Sequence, residues 1–237
     1  MPNIDIELNN IISSYERAEQ RELYKILLET TQAIAPYQIP LQFYFQLIGI
    51  LDFIRAKALF ALDYKGVMPQ LSQHPQVNVI NAYHPLLYLQ NKAQQKTTYP
   101  ITLSLQKEQR ILIISGPNAG GKTVTMKTIG LLQLMLQCGL LVPVDDRSEM
   151  GIFQQLMIHI GDTQSIEQEL STYSAHLKDM KYFVDFANGK TLFLIDELGS
   201  GSDPNMGGAF AEAFIETLAQ RKSIGIVTTH YLNLKVM

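Results

Sequence analysis

Apolar positions recur at helical spacing through the first part of the chain. Ile4, Leu8, Ile11, Ile12, Tyr15, Leu23, Ile26, Leu27 and Ile34 predict a helix over residues 4–35. Its middle, Glu16 to Glu22, is densely charged and expected in solvent. Pro36 and Pro40 are expected to end it. From about Leu41 to Leu62 the chain is apolar almost all round, with Phe43, Tyr44, Phe45, Leu47, Ile48, Ile50, Leu51, Phe53 and Ile54. That pattern predicts a second helix, buried on several sides. The two form an expected helical arm over residues 1–65.

The texture changes after Gly66. Short β-rich runs now alternate with helical ones. Strands are predicted at Val77–Asn81, Ile101–Leu105, Arg110–Ser115, Gln155–Ile160, Thr191–Asp196 and Ser223–Thr229. Helices are predicted at Lys122–Cys138, closed by Gly139, at Ser171–Ala187 with Ser171 or Thr172 as N-cap, and at Asn205–Gln220. Continuously apolar strands alternating with helices predict an α/β domain over residues 66–237, with a mostly parallel sheet flanked by helices.

Composition narrows the function classes. Hydrophobic residues make up 46% and charged residues 17% of the 237, which suits a packed core rather than a disordered chain. The net charge of −3 marks no strongly basic nucleic-acid surface. The single cysteine, Cys138, excludes an internal disulfide and is expected to be buried as a small hydrophobe. The N-terminal MPNIDIELNN lacks the pattern of a signal peptide, and no apolar run is long enough for a bilayer. A cytoplasmic setting is the default expectation.

The most informative segment is GPNAGGKT, Gly116–Thr123, which fits G-x-x-x-x-G-K-[ST] in full. An apolar strand enters it and a helix leaves it, as a phosphate-binding loop requires. Gly116, Gly120 and Gly121 allow the backbone to wrap around phosphates, and Pro117, Asn118, Ala119 and Val124 complete the stretch expected to contact the nucleotide. The helix N-terminus adds positive potential. Lys122 is placed to reach the β- and γ-phosphates, and the Thr123 hydroxyl to ligate Mg²⁺.

A second element is TLFLIDE, Thr191–Glu197, an apolar strand ending in two acids. Asp196 is expected to hold Mg²⁺ and Glu197 to activate the attacking water. His230 follows the strand SIGIVTT and is a third candidate. His84, His159 and His176 stand out less by themselves.

The acidic pair and the strand-end histidine resemble the ABC class of P-loop ATPases. The LSGGQ-type signature of its transporters is absent; IGDTQSIEQELSTYSAH, Ile160–His176, stands in its place. That string, together with GPNAGGKT, DELGSGSDPNMGGAFAEA and TTHY, resembles the ATPase core of the MutS family of DNA-repair proteins. The fit is closest to its second bacterial branch, associated with suppressing recombination. HPLL (His84–Leu87) and the arm, with ELNN and LDFIRAKA, are also similar to that branch.

The resemblance implies ATP and Mg²⁺ as ligands. It implies that Asn118 positions water or the γ-phosphate, and that Ser171 contacts the γ-phosphate held by a partner subunit. It implies that Gly199–Asp203 crosses a dimer interface, that His230 is the switch histidine, and that His84 and Pro85 lie near the adenine. It implies a homodimer with shared sites, coupled to mismatched or branched DNA through regions outside this sequence, and no membrane partner. The family's ATPase domain continues beyond the point matched by Met237, so the chain is expected to be a piece of a longer protein. Two other expectations share the same chemistry: an ATPase acting on ribosomes or structured RNA, and a nucleotide-gated dimerisation module with little turnover.

Overall fold

The computed structural model describes residues 2–116, 121–160, 169–199 and 204–231. The chain divides into two compact units, Met1–Ala56 and Lys57–Met237.

The first unit is helical. Helix α1 runs over Pro2–Ile34, a single 3₁₀ turn covers Ala35–Tyr37, and α2 runs over Gln38–Asp63. Pro40 therefore lies in the first turn of α2 rather than ending α1. A first-turn residue donates no intrahelical hydrogen bond, so a proline fits there. The expected burial of the second helix is not found. Ala61 is the one buried residue of α2, and Phe45 is 82% exposed. The described residues of this unit supply no second layer for that apolar surface to pack against.

The second unit holds two four-stranded sheets. One has the order β1-β5-β2-β3, built from β1 (Gln70–Ser72), β2 (Val77–Ala82), β3 (Ile101–Leu105) and β5 (Glu149–Gly151). It is mixed: β1 and β5 are parallel, while β2 is antiparallel to both β3 and β5. The other sheet has the order β4-β8-β7-β6, built from β4 (Ile111–Ser115), β6 (Gln155–His159), β7 (Thr191–Ile195) and β8 (Ile224–Thr229). Every pairing in it is parallel. The expectation of a mostly parallel sheet thus holds for this sheet and not for its mixed neighbour.

Both faces of the parallel sheet are covered. Every residue of β7 and β8 is buried, so these strands read as unbroken apolar runs. Side chains alternate between the two faces. Leu192 and Leu194 join a core with Met126, Ile129 and Leu132 of α4 (Lys122–Gln137). Phe193 and Ile195 join another with Met180 and Phe183 of α5 (Glu169–Phe186) and Phe214 and Leu218 of α6 (Pro204–Gln220). A further helix, α3 (Pro85–Ala93), follows β2.

Two local expectations are corrected. Cys138 is exposed, because α4 ends at Gln137 and places Cys138 at its C-cap, past the buried face. Gly139 then turns the chain with φ +70°, as expected of a helix-closing glycine. Helix α5 is already formed at Glu169, so neither Ser171 nor Thr172 is its N-cap.

Candidate functional site

Strands β4, β8, β7 and β6 run the same way, so their carboxyl ends share one edge, where open α/β sheets place ligands. Ser115 pairs with Thr229, and Ile195 with both Val227 and His159. Neighbouring strands lie about 4.8 Å apart, so the residues that follow β4, β8 and β7 fall within about 10 Å of sheet width. Gly116, His230 and Asp196 are those residues. The sequence-predicted groups are thus gathered by topology alone.

Gly116 and Gly121 flank the loop with φ of +148° and +78°. Among the described residues, a Cβ at either meets nothing within 4 Å, and the left-handed backbone by itself calls for glycine. Pro117, Asn118, Ala119 and Gly120 lie outside the described residues. Lys122 opens α4 and is only 5% exposed. Its ammonium donates to the Gly116 carbonyl. Thr123 is half-buried, Val124 is exposed, and Thr125 Oγ1 donates to the Gly121 carbonyl at 3.0 Å.

Across the edge, Asp196 is 9% exposed. Its N–H donates to the His159 carbonyl at 2.9 Å, extending the β6–β7 ladder by one residue. The Thr228 hydroxyl donates to Asp196 Oδ1. Glu197 adopts φ +52°, a left-handed conformation that costs a non-glycine residue roughly 1–2 kcal/mol. Strain of this kind gathers where a side chain must be aimed. The Glu197 N–H donates to Thr228 Oγ1 at 2.8 Å, and Glu197 Oε1 lies 3.8 Å from His230 Nε2.

The residue after His230 matters as well. Tyr231 donates its phenolic hydrogen to the Gly199 carbonyl at 2.7 Å, and its N–H to Thr229 Oγ1 at 3.1 Å. It ties the end of β8 to the start of the segment after Glu197. Residues 200–203 of the loop expected at a dimer interface lie outside the described residues.

The other histidines take distinct places. His84 caps α3, accepting the Leu87 N–H on Nδ1 at 3.4 Å. Burial, helped by the charge of Lys127, holds its imidazole below the ordinary pKa. The proton of the neutral ring therefore sits on Nε2. His159 Nδ1 lies 3.0 Å from Asp179 Oδ2, and its ring meets that of His176 edge-on at 4.2 Å. His176 is 8% exposed, and burial, reinforced by His159, pushes its pKa down to about 4. Ser171 lies within α5, and its side chain is outside the described residues.

Sequence reasoning missed Thr228, Tyr231 and Asp179. The first two stood within the quoted TTHY. Thr228 follows Val227, the partner of Ile195, so register places its hydroxyl beside the acid that follows β7.

Comparison with known proteins adds a family. The model of MutS domain V matches residues 112–237. The chain is 41% identical over 231 residues to the Endonuclease MutS2 of Finegoldia magna, covering 98% of this chain and 29% of that protein. It is 40% identical over 235 residues to the Endonuclease MutS2 of Enterococcus faecalis and 41% identical over 235 residues to that of Agathobacter rectalis. Both of these matches cover 99% of this chain, which spans 29% of each relative's length.

Proposed function

The chain belongs to the MutS family as a MutS2-type paralogue, and from that premise we propose that it forms a P-loop module of the ABC class that binds and hydrolyses ATP with Mg²⁺. The observation that carries this reading is Lys122. The residue is 5% exposed at the start of α4, on the edge that also holds Asp196 and Glu197. A cation withdrawn from water at a helix N-terminus suits a phosphate anion.

The donor set suits the metal too. Among the described residues, no three His, Cys, Asp or Glu side chains gather to cage an ion. Mg²⁺ commonly takes one or two protein oxygens together with phosphate oxygens. Thr123 and Asp196 are the residues that would hold it. ATP with Mg²⁺ supplies the γ-phosphoryl group that water attacks in line.

The chain's own groups divide the remaining work. Lys122 and the backbone N–H groups of the loop, Pro117 excepted, bind the phosphates and offset developing charge. Glu197 accepts the proton of the attacking water. His230, beside Glu197, contacts the γ-phosphate. His84, with a proton on Nε2 and a place beside Lys127 of α4, lies toward the base. Residues 66–237 form the ATPase domain and residues 1–65 the arm that transmits its state.

In the larger protein the same module works as a homodimer, with Ser171 completing the partner's site and nucleotide state coupled to binding of mismatched or branched DNA. The relatives' name, endonuclease, describes proteins of which this chain spans 29%.

A fluorescent ATP analogue, titrated with Mg²⁺ into the chain and its Lys122→Ala variant, tests this. Saturable binding lost in the variant is expected. Equal binding in both would remove the phosphate-loop reading.

A further inference from the structure

The turn after β7 is held from one residue. Thr228 is fully buried, and it bonds to three successive residues of that turn. Its hydroxyl donates to Asp196 Oδ1 and accepts the Glu197 N–H at 2.8 Å, while its carbonyl accepts the Leu198 N–H at 2.9 Å. The carbonyl bond is available to any residue at this position. The two hydroxyl bonds are not.

A buried hydroxyl at a strand end has an ordinary explanation, which is that threonine favours strands. Valine has the same shape and favours strands as strongly, and it leaves no hydroxyl to desolvate. Here the hydroxyl uses both its donor and its acceptor capacity, on the two residues that carry the chemistry proposed above. The branched Cβ restricts χ1, so the hydroxyl is held in place rather than free to rotate away. Its bond to Asp196 fixes one carboxylate oxygen. Its bond to the Glu197 N–H braces a residue whose φ of +52° has no support from its own type.

We infer that Thr228 is a positioning residue for the Mg²⁺-dependent reaction, orienting the Asp196 carboxylate toward the cation and the Glu197 side chain toward the attacking water. It touches neither reactant itself. This inference rests on the nucleotide reading above and adds to it a group outside the phosphate loop and the acidic pair.

The test compares Thr228→Val, which removes the hydroxyl at constant shape, with Thr228→Ser, which keeps the hydroxyl and drops the methyl. Mn²⁺ serves as the probe, its binding followed by electron paramagnetic resonance with a non-hydrolysable ATP analogue. Steady-state ATP hydrolysis is measured alongside. Partners that orient a metal ligand are worth about tenfold to a hundredfold in metal affinity or turnover, so Thr228→Val is expected to lose about tenfold or more in each. Its KM for ATP is expected to stay within about twofold of wild type, because the phosphate loop is untouched. Thr228→Ser is expected to restore most of both losses.

Wild-type Mn²⁺ affinity and turnover in Thr228→Val would overturn the inference and leave the ATPase reading standing. So would a folded Thr228→Ser whose Mn²⁺ affinity falls about tenfold, and this variant decides the matter if the valine protein does not fold. A wild-type chain with no Lys122-dependent nucleotide binding would instead sink the ATPase reading, and this inference with it.

Discussion

His230 Nε2 stands 3.8 Å from Glu197 Oε1, across the carboxyl ends of two adjacent parallel strands. Both groups are partly open to solvent, with side chains 50% and 35% exposed, so the pair adds little to stability as an ion pair. Its value in the proposed function is positional: the acid proposed to take a proton from water and the ring proposed to donate to a phosphate oxygen are set on one edge. His230→Asn is expected to lower kcat about a hundredfold, the scale of losing one charge-stabilising donor, with nucleotide affinity nearly unchanged. Steady-state kinetics beside equilibrium binding would check this. A large loss of affinity with kcat intact would assign His230 to ground-state binding instead.

Gly199 follows Leu198 with φ +85°, and a Cβ there would meet the Tyr231 ring at 2.6 Å and the Gly207 carbonyl oxygen at 3.1 Å. Both the backbone and the space call for glycine. Gly199→Ala is expected to destabilise the chain by about 1–3 kcal/mol. Denaturant unfolding at pH 7 measures it. An unchanged midpoint would mean that the turn and the tyrosine shift without cost.

His176 gives a pH dependence whose sign is fixed. Its folded pKa is about 4, against an ordinary value of 6.5, so the folded protein favours the neutral ring. Burial is the main cause; His159 adds to it and Asp179 opposes it. As pH falls from 6.5 toward 4, the unfolded chain takes up the proton and the folded one resists, so stability is lost across that window. His176→Leu is expected to flatten that part of the profile. Melting temperature against pH, for wild type and variant, reads it directly; parallel curves would contradict the assignment.

Much of the candidate site was legible because it follows from short-range pattern. An apolar strand, a glycine-rich turn and a helix are contiguous in sequence, and an acid pair after TLFLI needs only strand period and polarity to be noticed. That β4, β6, β7 and β8 run parallel was accessible from apolar strands alternating with helices, while their order in the sheet was not. The mixed sheet was not, because β1 and β5 have three residues each and leave no periodic trace. The exposure of Phe45 and its neighbours on α2 was misread because hydrophobicity reports what a surface prefers, not what lies against it. Cys138 failed for a smaller reason: one residue past the end of a helix, the buried face no longer governs. Thr228 was quoted and passed over, since its hydroxyl acquires meaning only when register sets it beside Asp196.

The most direct test of the central claim is phosphate release from ATP with Mg²⁺, for the wild-type chain and Glu197→Gln at rising protein concentration, with nucleotide binding measured in parallel. The account expects wild-type turnover whose specific activity climbs with concentration as paired chains complete each other's sites. It expects Glu197→Gln to bind ATP normally and to lose about 10²–10⁴-fold in rate, the range for removing a general base. Turnover in Glu197→Gln equal to wild type would contradict the assignment of the hydrolytic residue, and with it the reading of this edge as an ATPase site.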